Sequence, residues 1–272
     1  MTAELRTTGG RLATLGKTWG VMRITLRSRF AYVGELLVRT IFIVLILFTF
    51  TQLWRATGQT GKTGFSLAQL IWYLAFTEAI MTSSDTGAGE VDREVRSGDI
   101  AYRLARPLPY PLYHFGAALG ERLLRFGLNL SVGVLVALVV VGPLHIGALA
   151  LLLSLSAALL GFVADWTWSF SISLLSFWFE DTFGIHLLYR RALMILGGML
   201  IPLEAYPGWL QRIARALPFQ YFVYAPAHLF VRPDFPYWIE VSVALGLLAA
   251  VGLVPLLGLY RLGLRRVGAQ GG

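Results

Sequence analysis

Long hydrophobic runs separated by short polar segments make up most of the chain. The runs Ile41 to Phe50 and Ser131 to Val141, for example, contain no charged residue. About 20 apolar residues in a helix cross the roughly 30 Å hydrocarbon core of a bilayer. The pattern predicts an all-α integral membrane protein, with residues 1–272 forming one transmembrane domain. We predict six spans, over residues 36–54, 65–84, 115–142, 147–178, 184–202 and 238–260.

Residues 1–35 precede the first predicted span and show a helical period. Apolar residues recur there at intervals of three and four: Leu12, Leu15, Trp19, Met22, Leu26, Phe30 and Val33. This period places them on one stripe of an amphipathic helix, which we expect to lie at the cytoplasmic membrane interface. The stripe fits a membrane anchor and a grip on a partner protein equally well. The first 13 residues are too polar for a signal peptide.

The distribution of Lys and Arg predicts the orientation. With the N-terminus inside, eighteen of the 23 basic residues flank the cytoplasmic side and five the outer side. Cytoplasmic flanks retain positive charge during insertion. We therefore expect a multi-pass protein of the bacterial inner membrane with both termini cytoplasmic. Because the basic residues cluster at the inner membrane flanks, the net charge of +8 indicates contact with lipid headgroups rather than with nucleic acid.

The composition argues against several kinds of chemistry. The chain has no cysteine, so disulfides and thiolate metal sites are absent, and its four histidines are too scattered for a metal site. The tripeptide GKT occurs at residues 16–18 and 61–63, but a phosphate-binding loop needs glycine where Arg11 and Ala56 stand. We expect the chain to carry no cofactor and to bind no ATP itself.

The most unusual segment is polar: GEVDREVRSGDIAYRLARPLPYPLY, residues 89–113. The topology places this segment, within a loop over residues 86–113, in the cytoplasm. We predict a charged helix that ends at Gly98, a second short helix with Asp99 as its N-cap, and a stop at Pro107. Ile100, Leu104 and Leu108 would give the pair a small apolar face. The grouped charges favour a docking surface over a merely solvated face.

This segment resembles the permease subunits of ABC-2-type transporters. The family order I-x-x-G-x-[ILV] followed by L-x-x-P is present in the looser form Val95 to Ile100 and then Leu104 to Pro107. The six-span layout extends the similarity along the chain, particularly to the branch with one ATPase and two different permeases. The resemblance implies a membrane subunit of an ATP-driven exporter, paired with a second permease and with two ABC ATPase subunits that bind Mg-ATP.

The resemblance also implies where coupling occurs. In the family, the cytoplasmic loop between spans two and three is a coupling helix that inserts into the ATPase subunit. In this sequence that role falls to Glu90, Asp92, Arg93, Arg96, Gly98 and Asp99, with Arg103 and Arg106 contacting the ATPase or lipid headgroups.

The segment over residues 203–237 is too apolar for an ordinary outer loop and too rich in proline for one spanning helix. We predict a helical hairpin that re-enters the outer leaflet, as the resemblance also implies. Most of its aromatic residues fit an interfacial belt. Phe219 and Tyr221 are candidates for an exit gate.

Ionisable residues within spans are costly and indicate a site or an interhelical bond. Asp165 lies near the middle of the fourth predicted span beside Trp168, and Glu78 lies near the inner end of the second. We take all three as candidates for a translocation path, while a structural hydrogen bond remains the alternative for Asp165. Gly116-x-x-x-Gly120 and Ala157-x-x-x-Gly161 indicate close helix packing.

Three other classes of membrane protein are alternatives to this function. A secondary transporter would show an internal repeat and paired broken helices, and a membrane-embedded enzyme would need a nucleophile beside a base or a metal cluster. The sequence shows neither pattern. A non-transporting membrane scaffold differs in that its polar segment could be scrambled at constant charge without loss of function. The interior favours hydrophobic or amphipathic cargo.

Overall fold

The computed structural model describes residues 14, 16–28, 33–57, 64–84, 88–104, 107–179 and 181–270. Within these residues the secondary structure is helical, with no strand. Several positions singled out in the sequence lie outside them: Arg106, the second GKT tripeptide, and Leu12, Leu15 and Phe30 of the N-terminal stripe.

Twelve helices follow one another along the described part of the chain. They are α1 (residues 16–28), α2 (Val33–Thr57), α3 (Leu67–Ser83), α4 (Ala88–Ser97), α5 (Asp99–Leu104), α6 (Tyr110–Val141), α7 (Ala148–Ser173), α8 (Phe183–Leu196), α9 (Gly208–Ala216), α10 (Phe219–Phe222), α11 (Tyr224–Val231) and α12 (Phe235–Gln270). Two 3₁₀ turns, Leu174–Phe177 and Leu203–Ala205, follow α7 and α8.

Three helical segments among the described residues are long and apolar enough to cross a membrane: Tyr110–Val141, Ala148–Phe177 and Phe235–Arg266. Within α2, the apolar stretch Ile41–Ala56 is shorter. Helices also occupy the other predicted spans, but α3 has 17 residues and α8 has 14. A 14-residue helix is about 21 Å long, less than the hydrocarbon core. Helix α8 ends at Leu196, short of the predicted residue 202.

Helix α3 is the centre of the bundle. Every residue from Leu70 to Met81 is buried, because α2, α6 and α11 pack around it. A helix that is apolar on all sides belongs in an interior, so this burial follows from its sequence. A capping box starts the helix: Gln69 N donates to Ser66 Oγ at 3.1 Å, and Ser66 N donates to Gln69 Oε1 at 3.0 Å.

The chain between α8 and α12 is broken into short pieces rather than one long helix. The break begins at Gly197 and Gly198, and Gly198 adopts a φ of +69°. Short helix α11 then inserts against α3 and α7, and Phe230 lies 4.5 Å from Phe76 between ring centroids. Prolines at the starts of α9 and α10 interrupt helical hydrogen bonding, as their positions predict.

The N-terminal helix α1 contacts α6 through backbone atoms at two glycines. A Cβ atom on Gly116 would lie 2.7 Å from the carbonyl oxygen of Thr18, and one on Gly120 would lie 2.8 Å from that of Met22. The close approach confirms a packing role for this glycine pair. Within the apolar stripe of α1, Met22 is therefore buried against α6, whereas Trp19 is exposed.

We expect Gly116→Ala and Gly120→Ala to push α1 away from α6, because each new methyl group would overlap a backbone oxygen. The free energy of unfolding should fall by about 1–3 kcal/mol. Thermal unfolding in detergent checks this. Since the chain has no cysteine, maleimide labelling of Met22→Cys, at a buried position, would report separation of the two helices.

Gly127→Ala is the matched control, because a Cβ there meets no atom within 4 Å. It should leave labelling at position 22 unchanged and should stabilise α6 slightly, since alanine is the better helix former by about 1 kcal/mol. Equal labelling rates in the Gly120→Ala and Gly127→Ala backgrounds would contradict the packing role.

Candidate functional site

Helices α4 and α5 form a bent pair joined at Gly98. Gly98 adopts a φ of +78°, a left-handed conformation that favours glycine, and its N–H donates to the Val95 carbonyl at 3.3 Å. This confirms the predicted end of α4. Asp99 is the first residue of α5 rather than its N-cap, and its carboxylate accepts a hydrogen bond of 2.8 Å from Ser97 Oγ.

The apolar face of the α4–α5 pair packs on the ends of the long helices. Val91 and Ile100 are buried in a cluster with Phe170, Leu174 and Leu256. These partners belong to the end of α7, the following turn and α12. The pair is therefore a folded part of the bundle rather than a flexible linker.

Glu94 is the first polar attachment of the pair. Its buried carboxylate accepts a hydrogen bond of 2.7 Å from Tyr110 Oη, and Arg103 Nε and His114 Nε2 lie 3.1 and 3.3 Å away. Burial alone would raise the pKa of Glu94, but these three neighbours outweigh it and hold the pKa below its ordinary value. The charged carboxylate thus links α4 and α5 to the start of α6.

Asp92 is the second attachment and reaches a different helix. Its side chain is buried, and it accepts hydrogen bonds from the backbone N–H of Thr182 at 3.0 Å and from Thr182 Oγ1 at 2.9 Å. Thr182 immediately precedes α8. A carboxylate at this end satisfies a free backbone donor and complements the helix dipole.

The residues predicted to couple this segment to a partner therefore fall into two groups. Arg93, Arg96, Gly98 and Asp99 are exposed, whereas Glu90 and Arg103 are partly buried and Asp92 is buried. Tyr102, which sequence reasoning did not single out, is 71% exposed on α5. The outward face of the pair is polar and charged.

Asp165 lies where α6, α7 and α8 meet. One carboxylate oxygen accepts a hydrogen bond from Arg122 Nη1 and the other from Tyr189 Oη, each at 2.6 Å. Arg122 also donates to Ser84 Oγ at 2.7 Å and lies over the Phe162 ring, 4.1 Å from its centroid. Asp165 thus forms a structural ion pair between helices.

The other candidates for a translocation path are Trp168, Glu78, Phe219 and Tyr221. Trp168 donates through Nε1 to a backbone carbonyl of α12 at 3.1 Å. Glu78 is fully buried, and neither carboxylate oxygen has a hydrogen-bond partner among the described residues. Phe219 lies 6.2 Å from Tyr189 between ring centroids, and Tyr221 is partly buried nearby.

Several residues of the site escaped the sequence analysis. Arg122 falls inside the third predicted span, and an arginine there signals a buried acidic partner, which Asp165 supplies. The Asp92–Thr182 contact joins residues 90 positions apart, and no local spacing could indicate it. Glu94 and Asp92 differ from the exposed charged residues of α4 only in their position on the buried side.

Comparisons with known proteins find one family for this chain. A family model described as "ABC-2 family transporter protein" matches residues 29–271. No curated protein matches the chain.

We expect Asp92→Ala to lower the free energy of unfolding by about 1–3 kcal/mol, because it leaves the buried Thr182 N–H without an acceptor. Thermal unfolding in detergent measures the loss. Asp99→Ala, on the exposed face of the same pair, should change stability by less than about 0.5 kcal/mol. Equal effects of the two substitutions would argue against the attachment.

We expect Asp165→Leu to destabilise the chain by about 3–5 kcal/mol, because Arg122 would remain buried without its counter-ion. The double variant Arg122→Leu/Asp165→Leu should regain most of this loss, since no unpaired charge remains. Unfolding of the two single variants and the double variant forms a complete cycle. A purely additive result would rule out the ion pair as a structural link.

Proposed function

The chain belongs to the ABC-2 transporter family, and we propose that it is the membrane permease of an exporter whose ATP is hydrolysed by a separate subunit. Membership of the family makes it a membrane transport component that associates with an ABC ATPase, and not itself an enzyme. We also propose where the ATPase docks, which contacts transmit its movement to the membrane helices, where the translocation path lies and which subunits form the complex.

The α4–α5 pair is the observation that carries the proposal. It is a folded element at one end of the bundle, and it presents Arg93, Arg96, Asp99 and Tyr102 outward. Charged groups on a rigid element give an interface its specificity and orientation. We assign this face to the ATPase. The sequence prediction adds Arg106 to this face, although this residue lies outside the described ones.

The attachments of the pair suggest how force from the ATPase reaches the membrane. Glu94 connects the pair to α6 through Tyr110 and His114, and Asp92 connects it to α8 through Thr182. Displacement of the pair on ATP-driven closure would therefore tilt α6 and α8 together. In this account Asp92 and Arg103 act as coupling residues from inside the chain, without touching the ATPase.

The path would run between the ion pair and the broken segment. Asp165 lines a cleft that Glu90 of α4 also lines, and Phe219 and Tyr221 belong to the broken segment that follows α8. We assign these two aromatic residues to an exit gate in the outer leaflet. Trp168 and Glu78 would shape the path through the helices around them, since neither lines the cleft.

The complete assembly would contain two permeases, alike or different, and two ATPase subunits that bind Mg-ATP. We place it in a bacterial inner membrane with six crossings of this chain and both termini cytoplasmic. The short α8 would complete its crossing together with the re-entrant segment that follows. The excess of Lys and Arg on the assigned inner side supports this orientation.

Purification of the chain in mild detergent from the cells that produce it tests the proposal. We expect a chain with a G-x-x-x-x-G-K-[ST] phosphate-binding loop to copurify, and native mass spectrometry to give the stoichiometry. Charge reversal by Arg93→Glu/Arg96→Glu should reduce the copurified ATPase at least about tenfold, because like charges at an interface cost several kcal/mol.

Arg265→Glu/Arg266→Glu is the matched control. It makes the same change in charge at exposed positions of α12, outside the α4–α5 pair, and should retain the ATPase. Failure of any ATPase to copurify, or to bind when added, would refute the proposed function. An equal loss in both double variants would attribute binding to overall charge instead of the assigned face.

A further inference from the structure

Glu78 lies in the central helix α3 without a polar partner. Its side chain is fully buried, and neither carboxylate oxygen has a hydrogen-bond partner among the described residues. The other buried acids, Asp92, Glu94 and Asp165, each accept a hydrogen bond from a neighbouring element. Glu78 is therefore the exception among the buried acids of the described chain.

The position of Glu78 along α3 is deep in the bundle. It comes eleven residues after Leu67, where α3 begins, which is about 16 Å along the helix axis. The hydrocarbon core of a bilayer is about 30 Å thick, so this distance corresponds to about half of its depth. One turn to either side of Glu78, α3 contacts α6 through Ala75 and Thr82.

The helices α2 and α6 that pack on α3 carry their charges away from this level. In the sequence, α2 has no titratable residue between Arg39 and Arg55, and Arg55 donates to a backbone carbonyl near the end of α6. Helix α6 has no titratable residue after Arg125, which forms an ion pair with Glu121. Neither helix supplies a described counter-ion for Glu78.

Helix α11, which also packs on α3, has two titratable residues, and both lie nearer the start of α3. Tyr224 packs beside Tyr73, with ring centroids 6.2 Å apart, and His228 packs beside Phe65 at 5.9 Å. Phe65 precedes α3, and Tyr73 lies more than one turn before Glu78. Helix α11 therefore also leaves the carboxyl group without a partner.

An ionised carboxylate is poorly suited to this environment. An unpaired charge loses its hydration on burial, and a buried acid in such surroundings takes up a proton instead. Every residue of α3 from Leu70 to Met81 is buried, so contact with solvent does not offset the loss of hydration. A neutral carboxylic acid is the form that this packing accommodates.

We propose that Glu78 is a proton-binding site in the centre of the bundle: its side chain is a neutral acid in this conformation, and its proton exchanges with water only when α6 moves away from α3. The preceding residue, Thr77, donates to the carbonyl of Met199 at 2.7 Å, in the break after α8. A charge on Glu78 would disturb the turn of α3 that holds this break. The inference does not depend on an ATPase or on the substrate.

Infrared spectroscopy of the purified full-length chain tests the protonation state. The detergent is a maltoside, which has no carbonyl group, and isotope-labelled glutamate identifies the carbonyl band of a protonated glutamic acid. We expect this band at neutral pH and its loss in Glu78→Gln. Glu94→Gln is the control, because Glu94 is also buried but its neighbours lower its pKa and keep it charged. It should leave the band in place.

Exchange in heavy water tests the need for helix movement, because the band shifts when the acid proton is replaced by deuterium. Gly133→Ala should speed the shift about fivefold or more, since its new methyl group would lie 3.1 Å from Ala75 Cβ and push α6 away from α3. Gly127→Ala is the matched control on the same helix, because a Cβ there meets no atom within 4 Å. It should not speed the shift.

Both parts of the proposal can fail separately. An unchanged glutamic acid band in Glu78→Gln, or loss of a carboxylate band in its place, would overturn the proton site. Equal exchange rates in Gly133→Ala and Gly127→Ala would overturn the requirement for helix movement. Thermal unfolding identifies variants that do not fold. If Glu78→Gln is one of them, the wild-type spectrum still decides, because absence of any glutamic acid band at neutral pH refutes the site.

Discussion

Hydrocarbon offers no hydrogen-bond partner, so every interruption of a spanning helix has to be satisfied by the protein itself. In this chain the central helix α3 meets that constraint. Tyr73 donates to the carbonyl of Gly198, Thr77 donates to that of Met199 at 2.7 Å, and Trp72 donates to that of Gly142 at 3.2 Å. Because these side chains satisfy the backbone carbonyls at the ends of α6 and α8, both helices can end within the bundle. The short helices that follow α8 depend on this interruption of the helical backbone.

The two ends of α8 are consequently held in different ways. At its start, the buried Asp92 carboxylate accepts two hydrogen bonds from Thr182, whereas at its end the backbone unwinds at two glycines. A helix anchored at one end and interrupted at the other is suited to transmit a displacement toward the break. Glu90, which lines the cleft beside α6, lies on the same helix as Asp92, so the cleft and the attachment to α8 are neighbours in the fold.

The sequence predicted the features that depend on local pattern. The apolar runs placed six helices, of which three are long and apolar enough to cross a membrane within their described residues. Gly98 placed the bend between α4 and α5. The prolines from residue 202 onward placed the broken segment, but its start at Gly197 and Gly198 lies within the fifth predicted span. The sequence did not predict contacts between distant positions, because spacing carries no information about them. Arg122 was counted as a flanking charge, although it pairs with Asp165 inside the bundle. The exposed and buried sides of α4 can be distinguished only from its contacts with the helices that pack against it.

The glycine contacts of α1 also concern the order in which the chain is made. Met22 leaves the ribosome about a hundred residues before Gly120, against which its backbone packs. Through that interval α1 exists without its docking site. An amphipathic surface lets such a helix wait in the lipid headgroup region, so that its final position is taken only after α6 has been inserted. Helix α1 is therefore synthesised before α6 but reaches its final position after it.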